Sequence, residues 1–174
     1  MSGHNKWSQI KEKKGATDAK RSALFTKLVK LIKTEARLAH GDLNSASLKA
    51  AIEKAKAANM PKDNIDRAVS SAETTADEKV TYEAFGPGGV ALIIEGLTDS
   101  RNRTSQEIKH ILSKNGYALS SPGSATWAFS KNQDGVWQAT TMMPISEDDG
   151  IKLTDLIEQL ESNDDVQDVY TNAE

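Results

Sequence analysis

The hydrophobic period of this chain changes once, between residues 70 and 79, and that change limits the folds open to it more than any other feature. Before it, apolar residues recur at three- and four-residue steps. Leu24, Phe25, Leu28, Leu31, Ile32, Ala36 and Ala39 predict a long amphipathic helix over 16–40, with Gly41 as its stop. Asn44 or Ser45 is placed to cap a second helix burying Leu48, Ala51, Ile52 and Ala55, and Pro61 opens a third carrying Ile65, Ala68 and Val69. After the change, β-rich runs at 80–85 and 90–97 flank Gly86-Pro87-Gly88-Gly89, and a helix spans 101–115. A hairpin of 125–129 and 136–145 turns through 132–135, and a helix at 148–161 leads to a strand at 166–170. From Val90 the order is βαββαβ, the ferredoxin-like split βαβ pattern, with one extra strand before it. The expectation is an α+β protein: a basic N-terminal three-helix domain with an arm at 1–76, and a ferredoxin-like domain at 77–174.

Composition narrows the function classes. With 37% hydrophobic and 27% charged residues, the 174-residue chain reads as globular. Its longest strongly apolar run, 90–94, is far below the roughly 18 residues of a membrane span, and 1–14 is polar and basic, unlike a signal peptide. The absence of cysteine removes disulfides, thiolate nucleophiles and sulfur-ligated zinc, in keeping with a cytoplasmic protein. The net charge of −3 conceals an asymmetry: residues 1–37 hold ten Lys/Arg against three acids, whereas 146–174 hold Lys152 against ten acids. One end is suited to a polyanion and the other repels it.

No catalytic set emerges. His4, His40 and His110 stand far apart without metal-ligand spacing, so surface or capping roles account for them and no metal is expected. The Gly86–Gly89 run lacks the Lys-Ser/Thr ending of a phosphate loop and reads as a tight turn between strands. The carboxylates of 147–149 and 164–168 have no paired base. No enzyme activity and no cofactor are expected.

The cations are more informative. At about 100° per residue, Lys27, Lys30, Lys33 and Arg37 share a sector of roughly 120° on the first helix, opposite Phe25, Leu28, Val29, Ile32 and Ala36. Ordinary polar faces mix signs, yet from Lys20 to Arg37 Glu35 alone is acidic, and it lies off the stripe. A solvated face and a phosphate-binding ladder are both consistent with the pattern. Lys20 and Arg21 extend the basic set, and upstream Lys6, Lys11, Lys13 and Lys14 surround Trp7, which is suited either to stack on a base or to anchor the arm. A second cluster is Arg101-Asn102-Arg103, behind the N-cap candidates Thr98, Asp99 and Ser100. Two cations in a first helical turn oppose the macrodipole. They are placed to hold an anionic group of a partner, or to bridge to acids of their own domain.

Gly3-His4-Asn5-Lys6-Trp7, Asp18-Ala19-Lys20-Arg21 with Phe25-Thr26-Lys27-Leu28, the run from Ala57 through Asn59-Met60-Pro61-Lys62 to Ile65, Phe85-Gly86-Pro87-Gly88-Gly89-Val90-Ala91, and Leu97 through Arg101-Asn102-Arg103 to Thr104 closely resemble the YebC/PmpR family, as does Asp164-Asp165-Val166-Gln167-Asp168-Val169-Tyr170. The resemblance implies a regulator of gene expression: bacterial members are described as transcriptional regulators or ribosome-associated factors, and mitochondrial relatives as translational activators. It also implies a third domain inserted in the α/β domain, where this chain has only a short turn between Phe129 and Val136. Further departures are Gly96, where the family often has Cys, Tyr117-Ala118 in place of Gly-Asn, and the lack of Pro and Arg after Gly41-Asp42. The expected function is therefore a non-enzymatic nucleic-acid-binding regulator, foremost a ribosome- or RNA-associated translation factor with rRNA or tRNA as partner. A DNA-binding transcriptional regulator stands second and a protein-binding adaptor third; a monomer with no membrane partner is expected.

Overall fold

The first amphipathic pattern forms helix α1 (Asp18–Leu38) in the computed structural model, which describes residues 18–174. Its three- and four-residue spacing puts Leu28, Ile32 and Ala36 on one buried stripe. Leu48, Ala51 and Ala55 of α2 (Ala46–Ala57) and Ile65 and Ala68 of α3 (Lys62–Ser70) complete that core, together with Met60. Each fully buried Leu or Ile contributes about 1.5–3 kcal/mol, and the interleaved alanines let the helices approach closely. The chain reverses after α1 through His40 and Gly41, both at positive φ, and between α2 and α3 through Asn59 at φ 60°, where the Met60 N–H reaches back to the Ala55 carbonyl at 3.0 Å. A single 3-10 turn, Ala72–Thr74, follows α3.

The remaining elements are β1 (Glu78–Phe85), β2 (Ala91–Thr98), α4 (Arg101–Lys114), β3 (Leu119–Ser120), β4 (Phe129–Lys131), β5 (Trp137–Ala139), α5 (Glu147–Glu161) and β6 (Val166–Thr171). The described residues fall into two compact units. One is built by residues 18–79 with 97–99, the other by 80–96 and 100–174. In the second unit β2 is buried on both faces, which is why its sequence is an unbroken apolar run rather than an alternating one. Leu92 and Ile94 pack on Ile108 and Leu112 of α4 and on Leu153, Leu156 and Leu160 of α5. Ala91 and Ile93, on the opposite face, meet Ala125, Ala128 and Phe129.

The strand order differs from the ferredoxin-like expectation. The main sheet runs β3-β1-β2-β6, with β3 antiparallel to β1 and β6 antiparallel to β2, and β4 pairs with β5 in a separate two-stranded sheet. The Gly86–Gly89 turn puts β1 next to β2, so the strand read as an extra is a central one. It is closed by the Gly86 N–H to the Val90 carbonyl at 2.9 Å, and Gly88 takes φ 68° where a Cβ would come 2.8 Å from Ile145 Cγ2. The hairpin instead covers the second face of the sheet, and Phe129 and Trp137 close its interior edge to face at 6.5 Å. Thr126–Ala128 is a 3-10 turn rather than strand, and of 140–145 only Met143 pairs, in an isolated bridge to Ala173.

Candidate nucleic-acid interface

The first helix offers its cations in two different ways. Lys20 and Arg21, in its first turn, are exposed, and the Arg21 guanidinium lies 5.4 Å from the centre of the Phe25 ring. Lys27, Lys30, Lys33 and Arg37 are half-buried. The expectation that this stripe faces open solvent is corrected here, because residues 72–79 lie along it. Lys30 Nζ sits 3.6 Å from the Asp77 carboxylate, Lys33 Nζ donates to the Thr74 hydroxyl at 3.4 Å, and Arg37 Nη2 donates to the Asp77 carbonyl at 2.6 Å. Arg37 Nε is buried without a partner. Glu35, which sequence places off the stripe, is buried and paired with Lys79. Lys6, Trp7, Lys11, Lys13 and Lys14 lie outside the described residues.

The Arg101-Asn102-Arg103 cluster does open a helix, with the Ser100 hydroxyl accepting from the Arg103 N–H at 3.4 Å. All three side chains are exposed. Arg103 makes an internal ion pair: its Nη2 donates to Asp165 Oδ2 at 2.8 Å. The buried Asp165 carboxylate also accepts from the Thr104 hydroxyl at 2.6 Å. Arg101 stands beside Tyr82, whose hydroxyl donates to the Arg101 carbonyl at 3.4 Å. Burial pushes the Tyr82 phenol above its usual pKa, partly offset by the Arg101 charge, and Asp165 adds to the rise.

Three acids that organise these surfaces escape a sequence reading. Asp77 lies in a stretch without periodicity, Asp165 in an acidic run, and Glu83 in a strand. Glu83 is buried and receives three backbone N–H groups, from Gly123 at 2.6 Å, Ala125 at 2.7 Å and Thr126 at 3.0 Å. Burial pushes its carboxyl up, but the donated hydrogen bonds outweigh this and hold it below the ordinary carboxylate value. That cradle fixes the turn carrying Trp127, which is 61% exposed.

Comparison with known proteins places these features in a family. Residues 5–75 match the TACO1/YebC protein N-terminal domain, and residues 77–133 and 130–173 match the TACO1/YebC second and third domain. The two latter stretches meet at the β4–β5 turn. A probable transcriptional regulatory protein of Syntrophobacter fumaroxidans is 43% identical over 181 residues, covering 100% of this chain and 72% of that protein. One of Petrotoga mobilis is 52% identical over 136 residues, covering 75% of this chain, which spans about half, 54%, of that relative's length. The crystal structure of a conserved hypothetical protein from Aquifex aeolicus superposes with a TM-score of 0.76 at 27% identity, covering 90% of this chain and 91% of that one. The chain belongs to the TACO1/YebC family, the YebC/PmpR family of the sequence resemblance.

Proposed function

We propose that this protein is a non-enzymatic regulator of gene expression that binds the phosphate backbone of DNA through its helical unit. The observation that carries this reading is the concentration of ten Lys/Arg against three acids in residues 1–37 of a chain whose last 29 residues, 146–174, hold ten acids. Lysines predominate in that block, which suits backbone contact rather than the bidentate base readout typical of Arg, Asn and Gln. DNA takes precedence over the RNA expected from sequence because the relatives carry the name of transcriptional regulators. In this reading Lys20, Arg21 and Lys27 make first contact with phosphates, together with the arm cations Lys6, Lys11, Lys13 and Lys14. The 1–76 and 77–174 segments then divide the work: the basic one binds the polyanion, and the acidic one does not.

The test is a salt titration of the affinity for a duplex DNA and for an RNA of equal length. Binding should weaken linearly on a log-log plot, and Lys20→Glu with Arg21→Glu should flatten the slope by about 1.8, roughly 0.9 per phosphate contact. No binding of either polymer at low salt would overturn the reading and favour a protein-binding adaptor. Tighter binding of RNA would restore the translational one.

A further inference from the structure

Residues 74–77 meet α1 through three side chains of the cationic stripe, Lys30, Lys33 and Arg37. The backbone N–H groups bond locally: the Thr74 N–H reaches Ser71 O at 3.1 Å, Thr75 N–H reaches Ala72 O at 3.2 Å, and Asp77 N–H reaches the Thr75 hydroxyl at 3.3 Å. The Thr75 hydroxyl in turn donates to the Asp77 carboxylate at 2.9 Å, which aims that carboxylate toward Lys30. Lys33 and Arg37 are met by neutral oxygens, the Thr74 hydroxyl and the Asp77 carbonyl. Arg37 thereby uses one arm of its fork, while Nε, also buried, donates to nothing. A guanidinium is most strongly satisfied by a planar or tetrahedral oxyanion that accepts from two of its nitrogens at once. The segment is a partial substitute for such an anion.

We infer that residues 74–77 form a built-in strap over the cationic face of α1, and that a backbone phosphate of the nucleic acid displaces it by taking Lys30, Lys33 and Arg37 from Asp77 and Thr74. The inference rests on the nucleic-acid reading above and extends it. Strap and phosphate compete for the same donors, so the protein's affinity is lower than its cation count implies. The strap also raises specificity for polyanions, because a single free carboxylate offers no more than Asp77 already does, whereas a phosphate chain engages several cations together.

Asp77→Ala removes the carboxylate while keeping the backbone carbonyl that Arg37 uses. The expected result is about three- to tenfold tighter binding of duplex DNA at 0.1 M salt, with a slope steeper by about 0.9, since a cation released from the strap becomes one more phosphate contact. Hydrogen exchange on the unaltered protein gives a second readout that does not depend on the variant folding: saturating DNA should speed exchange at 74–77. If the unaltered protein binds DNA but Asp77→Ala leaves the affinity equal or weaker, and exchange at 74–77 stays level or slows, the strap is purely structural and the inference is overturned. If neither protein binds nucleic acid at low salt, the functional reading fails and the strap with it. Binding by Asp77→Ala alone would support both.

Discussion

Arg103 Nη2 donates to Asp165 Oδ2 at 2.8 Å, joining the first turn of α4 to the start of β6 across 62 positions of sequence. The carboxylate is 6% exposed and the guanidinium 47%, so the acid depends on the pair more than the base does. Arg103→Ala should therefore lower the melting temperature, by an amount equivalent to about 1–2 kcal/mol, because a buried carboxylate loses the cation that faces it. Arg101→Ala, which takes a cation off the positive end of the helix dipole, should move melting by less than that, about 0.3–1 kcal/mol at most. Thermal melts of the two single variants, side by side, check the contrast. Equal effects would mean that the bridge contributes nothing.

Acid sensitivity should trace to Glu83. Its folded pKa is lower than in the unfolded chain, so its stabilisation is present in full above the ordinary carboxylate value and is lost as the pH falls through the depressed folded value. In Glu83→Gln that loss has already occurred at neutral pH. The variant should be less stable at pH 7 by about 1–3 kcal/mol, since an amide presents an NH2 group to N–H donors. Its stability should also change less than that of the unaltered protein as the pH falls below about 4.5. Denaturant unfolding at pH 7 and pH 3.5 separates the two behaviours.

Gly96 sits where the register between β2 and β6 shifts. A Cβ there would come 2.7 Å from the Asp165 carbonyl oxygen and 3.2 Å from Val80 Cγ2. Backbone cannot give way as a flexible side chain does. Gly96→Ala should cost about 1–3 kcal/mol, and Gly96→Cys, with its larger side chain, at least as much in this chain. Melting curves of both report it, and a variant as stable as the parent would show that the β2–β6 bulge relaxes freely.

The β4–β5 turn should tolerate insertion. Asn132 closes it alone, its side chain accepting the Asp134 and Val136 N–H groups at 2.9 Å each, and the family match divides at the same place. A flexible six-residue insertion between Gln133 and Asp134 should lower stability by no more than about 1–2 kcal/mol and leave DNA binding unchanged. A collapse of the fold would show that the tight turn holds β4 and β5 together.

The elements legible in the residues are those whose evidence is local. The amphipathic period predicts α1, α2 and α3 to within a few residues, because the buried stripe of each is written in its own three- and four-residue spacing. Gly41, Pro61 and Gly86–Gly89 mark reversals by their own backbone preferences. The net charge of the N-terminal block, and the motifs that place the chain in its family, are likewise fixed by the residues alone. Every pairing between segments far apart in sequence depends on the folded arrangement. Nothing local indicates that the two-residue β3 pairs with β1, that β4 and β5 form a sheet of their own, or that Asp77 and Thr74 cover Lys30, Lys33 and Arg37. A wheel projection assigns a helix face to core or solvent from the helix alone, whereas a polar face is also buried when a neighbouring segment brings acceptors to it. That depends on where residues 72–79 run, and the free energy that sets their path belongs to the folded unit rather than to any stretch of sequence.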